Sequence, residues 1–564
     1  MFSFRQNRRA FGRATATVVC VALTAAFVSC AGLKRDVGVP DPAKAVYSLS
    51  PLERSAVGAR EGVYYSLFVR SFADSDGDGV GDFRGLTAKL DYLNDGDDRT
   101  AGDLGVTGIW LLPIFPSPSY HGYDVTDYYG VNPQYGTMAD FEAFLAAAEK
   151  RGISVIIDMT CNHSSSQNPW FVQSADPKSP YRDWYRWISA DEDGYNLNQT
   201  IWGHKLWNAY NGSYYSGLFY SGMPDFNLST PALREEFRKI AKFWMDKGVS
   251  GFRFDAAGHV FNAAKLRAGE PSQEQAIAFW EEYVGYIRTL NPDSYTVGEV
   301  WEPTFTRAAY MKGLGSDFHF DLGTKIVDAI REGSGGKNNI ANSLAADYSA
   351  YAGENPDYID APFLSNHDQN RVSGLLKGDP AQLKLAASLY ILAEGVPFIY
   401  YGEEIGMMGA KPDEQLRTPF LWASEGKDRY QASWIASKYN KNTVPASLQG
   451  KDPLSLLSHY KRLIRLKTAH PALYAGRLSP LATDNSAVVS WEMKAETESA
   501  FVLHNLSAEA VTVALPPRYA PPSAPQADTS AARLVFATYD GTLVTPDGTI
   551  TIPARGSAVI AAEQ

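Results

Sequence analysis

The chain has 564 residues, 45% hydrophobic and 13% aromatic, which supplies a large core and room for more than one domain. A formal net charge of −11 excludes a partner held mainly through phosphate contacts, so no nucleic acid is expected. The 32 Tyr, 27 Phe and 12 Trp are rings that stack on sugars but also fill cores, and the count alone favours cores.

Residues 1–29 read as a targeting segment. Arg5, Arg8, Arg9 and Arg13 form a basic start, and Ala14–Val28 is an apolar run of 15 residues, too short for a comfortable membrane span. The run ends in Phe27-Val28-Ser29-Cys30-Ala31-Gly32. A small residue before Cys there resembles a bacterial lipobox, although Phe27 stands where an aliphatic residue is usual. The expectation is an exported protein anchored to a bacterial membrane by lipid on Cys30, with plain secretion as the alternative. Arg8-Arg9-Ala10-Phe11 resembles a twin-arginine signal only weakly. Loss of residues 1–29 removes Cys20, so with Cys30 lipidated Cys161 has no partner for a disulfide. Residues 30–59, with Pro40, Pro42 and Pro51, read as a spacer.

From residue 60 to 470 strands and helices alternate. Strands are expected at Val63–Val69, Gly108–Leu112, Ile153–Asp158, Ser250–Asp255, Ser294–Glu299, Ser316–Phe320, Ala361–Ser365 and Val396–Tyr400. Helices are expected between them, at Leu86–Leu93, Met138–Lys150, Thr230–Lys247 and Glu274–Leu290, with Ser455–Lys467 closing the series. Eight such units imply a parallel (β/α)8 barrel. An open doubly wound sheet is the runner-up, but no Gly-rich phosphate turn supports it. The aromatic stretch 164–228 interrupts the barrel after its third strand, which divides the barrel into 60–163 and 229–470. Short strands at Ala487–Trp491, Ser499–His504, Val511–Leu515, Arg533–Phe536 and Thr549–Ile552 mark an antiparallel β domain over 471–564, with Pro516–Asp528 as a loop.

Two patterns carry chemistry. Asp74-Ser75-Asp76-Gly77-Asp78-Gly79-Val80-Gly81-Asp82 packs four carboxylates into nine residues. Asp74, Asp76, Asp78 and Asp82, with the Val80 carbonyl, can fold around one hard cation, and calcium is the expected ion. No helix precedes the loop, and Gly85 holds the position of the bidentate Glu, so an EF-hand fits less well. The plainer reading, a solvated acidic loop, leaves four like charges unneutralised. The second pattern is three acids near the ends of apolar runs: Asp255 in Gly251-Phe252-Arg253-Phe254-Asp255, Glu299 in Val297-Gly298-Glu299-Val300-Trp301, and Asp368 in Phe363-Leu364-Ser365-Asn366-His367-Asp368. Strand ends of a parallel barrel face one mouth, so three acids can converge there, the equipment for breaking a glycosidic bond. For a single strand-end Asp, a helix N-cap is the plainer role.

With Tyr120-His121-Gly122-Tyr123-Asp124, Asp158-Met159-Thr160-Cys161-Asn162-His163 and Met223-Pro224-Asp225-Phe226-Asn227 in the same order, the chain from about residue 60 onward resembles the α-amylase family of glycoside hydrolases. The resemblance implies a (β/α)8 barrel, a B domain inserted at 164–228 and a C-terminal β-sandwich. It implies Asp255 as nucleophile, Glu299 as acid/base and Asp368 as transition-state stabiliser. Arg253, two residues before Asp255 and on the same side of the strand, is expected to lower its pKa. His163 and His367 resemble sugar-binding histidines, Tyr123 would stack on the sugar, and Asp124 or Arg371 would bond its hydroxyls. Asp158 is expected to be architectural, orienting Arg253 or the loop after the third strand. Ala256 accompanies α-1,4 rather than α-1,6 cleavage in related enzymes, and Gly258-His259 departs from a frequent Lys-His pair. Asn162 resembles a ligand of a second calcium. The expected substrate is an α-glucan or maltooligosaccharide cleaved with retention by a monomeric enzyme. An α-glucosidase or glucanotransferase is the alternative. A non-catalytic glucan-binding protein is remote, since such relatives lose carboxylates that this chain keeps. Of the rings crowding 164–228, most are expected to pack that domain's own core.

Overall fold

The computed structural model describes residues 57–267, 270, 272–335, 339–424, 427–521 and 532–563. The expected signal, the expected lipidation at Cys30, most of the expected spacer and part of the expected 516–528 loop lie outside them. No helix among the described residues is long and apolar enough to cross a membrane.

Eight strands form the centre: β1 Tyr64–Leu67, β2 Gly108–Leu111, β3 Ser154–Met159, β4 Gly251–Phe254, β5 Tyr295–Gly298, β6 Ser316–Phe318, β7 Ile359–Ala361 and β8 Phe398–Tyr400. Every pairing is parallel and joins consecutive strands, with β1 against β8. Backbone bonds from Val396 N to Asp360 O and from Phe398 N to Pro362 O, each 2.9 Å, close the ring between β7 and β8. Aromatic rings fill the interior: Tyr64, Phe398, Phe318 and Trp110 pack in a chain with centroids 4.9–5.2 Å apart. Branched aliphatic residues are the commoner filling. Gly251 is required where β4 meets β5, because a Cβ there would lie 1.8 Å from the Tyr295 carbonyl oxygen.

The helices cover the outside, as their patterning predicts. Met138–Glu149 begins with a full capping box between Thr137 and Asp140 and buries Phe141, Phe144 and Leu145. Pro231–Asp246 buries Leu233, Phe237, Ile240 and Trp244 along one face. The expected helix Leu86–Leu93 is instead two short ones, Phe83–Ala88 and Leu90–Leu93. β7 lies at Ile359–Ala361 rather than Ala361–Ser365: Pro362, with no N–H, cannot continue the ladder as a donor. Asp368 therefore sits seven residues into a loop, not at a strand end.

Residues 164–228 fold into a helix, Pro169–Ser174, and an antiparallel sheet of Trp187–Ile188, Ser213–Ser216 and Trp207–Tyr210. A hairpin of Thr200–Ile201 and His204–Lys205 projects from it. Trp184, Trp207 and Tyr215 are buried as expected, but Trp202 is 63% exposed and Tyr220 41%. The C-terminal part pairs a five-stranded antiparallel sheet with a three-stranded one. Along Glu498–Asn505, Phe501 and Leu503 face the second sheet, while Ala500 and Val502 join the barrel's core.

Candidate active site

Asp255 and Glu299 are the first residues past β4 and β5, and both line a cleft of about 790 Å³ at the barrel mouth, with Asp368. One guanidinium organises the first two. Arg253 Nη1 lies 2.7 Å from Asp158 Oδ1 and 2.8 Å from Asp255 Oδ1, and Nη2 lies 2.8 Å from Glu299 Oε2. Arg253 is 1% exposed and rests over the Trp110 ring at 5.0 Å, so its plane has no freedom to turn. Ala256 adopts a left-handed conformation, φ 49°, which costs a non-glycine residue about 1–2 kcal/mol. Its N–H donates to Glu299 Oε2 at 2.8 Å. The strained turn thus fixes the second acid relative to the first.

Asp368 has its own partners. His367 Nε2 is 2.9 Å from Asp368 Oδ2, and Arg417 Nη2 is 2.8 Å from Oδ1. Arg417 Nε also donates to the His367 carbonyl at 3.0 Å. Tyr123 lines the cleft, stacks on His367 with 5.5 Å between centroids, and shares its hydroxyl with His367 Nε2 (2.6 Å) and Asp158 Oδ2 (3.1 Å). His163 is buried with Nε2 3.9 Å from Asp255 Oδ2.

Burial sets the protonation. It pushes Glu299 up to about 8, against Arg253 and with help from the Asp255 and Asp368 charges. Asp158 rises to about 7, also chiefly through burial. Burial likewise raises Asp255, outweighing the Arg253 guanidinium, so the expected net lowering is not found. Asp368 goes the other way: burial would raise it, but His367 and Arg417 hold it well below the usual carboxylate range. Burial lowers His367 too, so its ring is neutral near pH 7 and the full positive charge beside Asp368 is that of Arg417. Burial pushes His163 down to about 4, leaving it neutral as well. Near neutrality the cleft therefore offers a proton on Glu299 and an ionised third acid, with Asp255 held against the Arg253 guanidinium.

Two expected sugar contacts lie elsewhere. Asp124 is buried and its Oδ1 accepts from the Ser117 hydroxyl at 2.6 Å and from the Ser119 hydroxyl, so it braces a loop. Arg371, 1% exposed, donates to the Leu416 and Tyr401 carbonyls and packs on the Tyr400 ring. Arg417, not Arg371, is the arginine that lines the cleft, where it pairs with Asp368; it lies on the long loop after β8, where no periodicity flags it. The cleft also gathers His259, Trp301 (54% exposed) and Trp202, which the sequence reading did not assign to it.

In the acidic loop, Asp74, Asp76 and Asp78 each bring an oxygen within 4.8 Å of the others. Asp74 accepts from the N–H groups of Asp76, Gly77 and Gly79, which wraps the loop around the trio. Asp82 stands outside the trio. It caps the Phe83–Ala88 helix through Gly85 N at 2.8 Å and binds Ser75 through both oxygens. Val80 is buried and donates its N–H to Asp78 Oδ1. Three hard oxygens with like charge fit calcium. A second acidic group, His319, Asp321 and Asp347, is already neutralised by Lys325, Arg307 and an imidazole held up at about 9 by the surrounding carboxylates despite its burial. Asn162 gives its Oδ1 to the Lys265 ammonium at 2.6 Å.

A closed parallel barrel whose mouth holds a guanidinium-bridged Asp/Glu pair beside a third acid defines a glycoside hydrolase. Residues 66–476 match the family described as alpha amylase, catalytic domain, and residues 488–559 match the alpha-amylase SusG C-terminal domain. The chain belongs to the α-amylase family. The alpha-amylase 3 of Dictyoglomus thermophilum is 43% identical over 451 residues, 79% of this chain and 85% of its own length. The crystal structure of alpha-amylase from H. orenii superposes with a TM-score of 0.80 at 40% identity, covering 89% of this chain and all of that one. A 4-alpha-glucanotransferase of Thermotoga maritima is 30% identical over 79% of this chain and 96% of its own.

Proposed function

We propose that the enzyme hydrolyses α-1,4-glucosidic bonds of starch, glycogen or maltooligosaccharides by double displacement. The observation that carries this reading is the Arg253 guanidinium holding Asp255 and Glu299 together at 2.8 Å each. One guanidinium that holds both carboxyl groups keeps them as neighbours at the same mouth, which suits a nucleophile and an acid working as a retaining pair. Asp255 attacks the anomeric carbon while the Glu299 proton passes to the leaving oxygen. Water then gives its proton to Glu299 and its hydroxyl to the anomeric carbon, releasing Asp255. Asp368 offsets the positive charge on the sugar ring, and His163 and Tyr123 contact that sugar. Ala256, small and beside the nucleophile, supports α-1,4 over α-1,6 cleavage. Product lengths from maltoheptaose, isomaltose and pullulan test this: maltooligosaccharides from the first alone support it, and glucose from isomaltose overturns the linkage.

The exposed rings of Trp202 and Trp301 at the cleft favour a second reading, in which sugar competes with water for the glycosyl-enzyme. Products longer than the substrate would mark that glucanotransferase activity.

Glu299 must be protonated to act as acid. Activity is expected to fall as pH rises through about 8, tenfold per unit in kcat/KM, as that proton is lost. A pH–rate profile on a substrate with an activated leaving group, which needs no acid, should flatten the alkaline limb of the first step.

Calcium is proposed at Asp74, Asp76 and Asp78, with the Val80 carbonyl as a further donor and Asp82 as a brace rather than a ligand. When bound it neutralises the loop, which hydrogen-bonds Tyr430 and Ser433 through Asp74 N and Gly79 O. Chelation is expected to lower the Tm by several degrees, restored by calcium, and Asp76→Asn should remove the response. An unchanged Tm on chelation would contradict the site.

A further inference from the structure

The inserted segment leaves and rejoins the barrel beside one buried ammonium. Lys265 lies in the short turn Ala263–Lys265 of the loop after β4 and is 2% exposed. Its Nζ donates to Asn162 Oδ1 at 2.6 Å and stands 3.6 Å from Asp225 Oδ1. Asn162 precedes the insertion and Asp225 ends it, and the backbone of Asp225 bridges to that of His163. Asn162, His163 and Asp225 are each no more than 1% exposed. Asp225 Oδ2 accepts from Leu218 N at 3.0 Å.

The amide of Asn162 has only one workable orientation. Its oxygen must face the ammonium, since its NH₂ there would set donor against donor. The NH₂ then points to His163 Nδ1, 3.1 Å away, and to Asp225 Oδ1, 3.3 Å away. An amide donor at Nδ1 requires a lone pair on that nitrogen, so the hydrogen of the neutral ring sits on Nε2. That Nε2 is buried, makes no hydrogen bond of good geometry and lies 3.9 Å from Asp255 Oδ2, with the Tyr123 backbone carbonyl also facing the ring. A sugar hydroxyl entering beside Asp255 would meet a donor there.

We propose that Lys265 is a positioning residue of the active site: through Asn162 it fixes the tautomer of His163 that presents Nε2–H to the bound sugar. The inference rests on the reading of Asp255 as the sugar-attacking group, but its spectroscopic test does not. In protein labelled with ¹⁵N-histidine, the His163 signal, assigned by its loss in His163→Ala, should show the Nε2–H tautomer. Lys265→Met should shift it toward Nδ1–H and lower kcat/KM on maltoheptaose on the order of 100-fold, since misplacing one contact by an ångström costs that much. In a His163→Ala background the same substitution should cost less than about threefold, because coupled residues are not additive. Lys265→Arg, which keeps a donor cation, should recover most of the loss. Should Lys265→Met not fold, Asn162→Asp decides the matter: it keeps the pairing with Lys265 but cannot donate to Nδ1, and should move the hydrogen to Nδ1 with a similar loss. An unchanged tautomer in both variants, or full additivity with His163→Ala, overturns the proposal. A wild type that leaves maltoheptaose intact would instead overturn the hydrolytic reading, with the tautomer measurement still standing.

Discussion

Asp255→Asn is expected to lower kcat on maltoheptaose on the order of 10⁵-fold while the protein keeps its fold and Tm within a few degrees. Losses of this size follow removal of a covalent nucleophile, because the step it divides in two must then cross in one. The amide keeps the shape, and its oxygen still accepts from Arg253 Nη1, now at 2.8 Å from the carboxylate. The substitution also removes a charge that raises Glu299, so any residual activity should show an alkaline limb shifted downward. Near-normal turnover by a folded Asp255→Asn variant would contradict the role.

Arg253→Met should damage both stability and catalysis. The guanidinium is the direct counter-ion of Asp158, Asp255 and Glu299, each within 2.8 Å. Removing one partner of a buried ion cluster strands the others, a cost of about 3–5 kcal/mol. The deficit should depend on pH with a definite sign. Glu299 and Asp158 are raised in the folded state to about 8 and 7, so the native protein binds more protons than the unfolded chain. Their contribution to stability is present below the ordinary carboxylate range and is lost as pH rises toward 8. Without Arg253 the raising is larger, so the variant's loss of stability in urea should be greater at pH 8 than at pH 5. Equal deficits at the two pH values would contradict the account. Arg253→Lys should not rescue, since one ammonium cannot bridge three carboxylates in the plane that a guanidinium spans.

The barrel and its first two acids were legible in the sequence because a buried parallel strand is a short apolar run, and the residue that ends it has one place to go. Asp255 and Glu299 follow β4 and β5 in that way. Asp368 was legible only through its motif, since Pro362 ends β7 early and a loop carries the acid to the cleft. Directions of side chains were not legible. Arg371 and Asp124 have suitable chemistry but point to backbone carbonyls and serine hydroxyls, whereas Arg417 reaches Asp368 from a loop without periodicity. Asp82 has the spacing of a ligand, but it stands outside the group of Asp74, Asp76 and Asp78, capping a helix and binding Ser75. The strand Ser557–Glu563 escaped notice because three alanines in seven residues weaken its strand propensity and both its faces are buried, so no alternation shows. Trp202 looked like core among core rings. Only the hairpin at 200–205 turns it outward.

The central claim is that Asp255 forms the bond to the sugar. A fluorinated α-maltosyl fluoride with a good leaving group and a slowed second step should accumulate the glycosyl-enzyme, and peptide mass spectrometry should find one added fluoromaltosyl group on the peptide containing Asp255. The label should be absent in Asp255→Asn and should be released with retention of the α-configuration. A label on Glu299 or Asp368, or release as the β-anomer without any covalent species, would contradict the account.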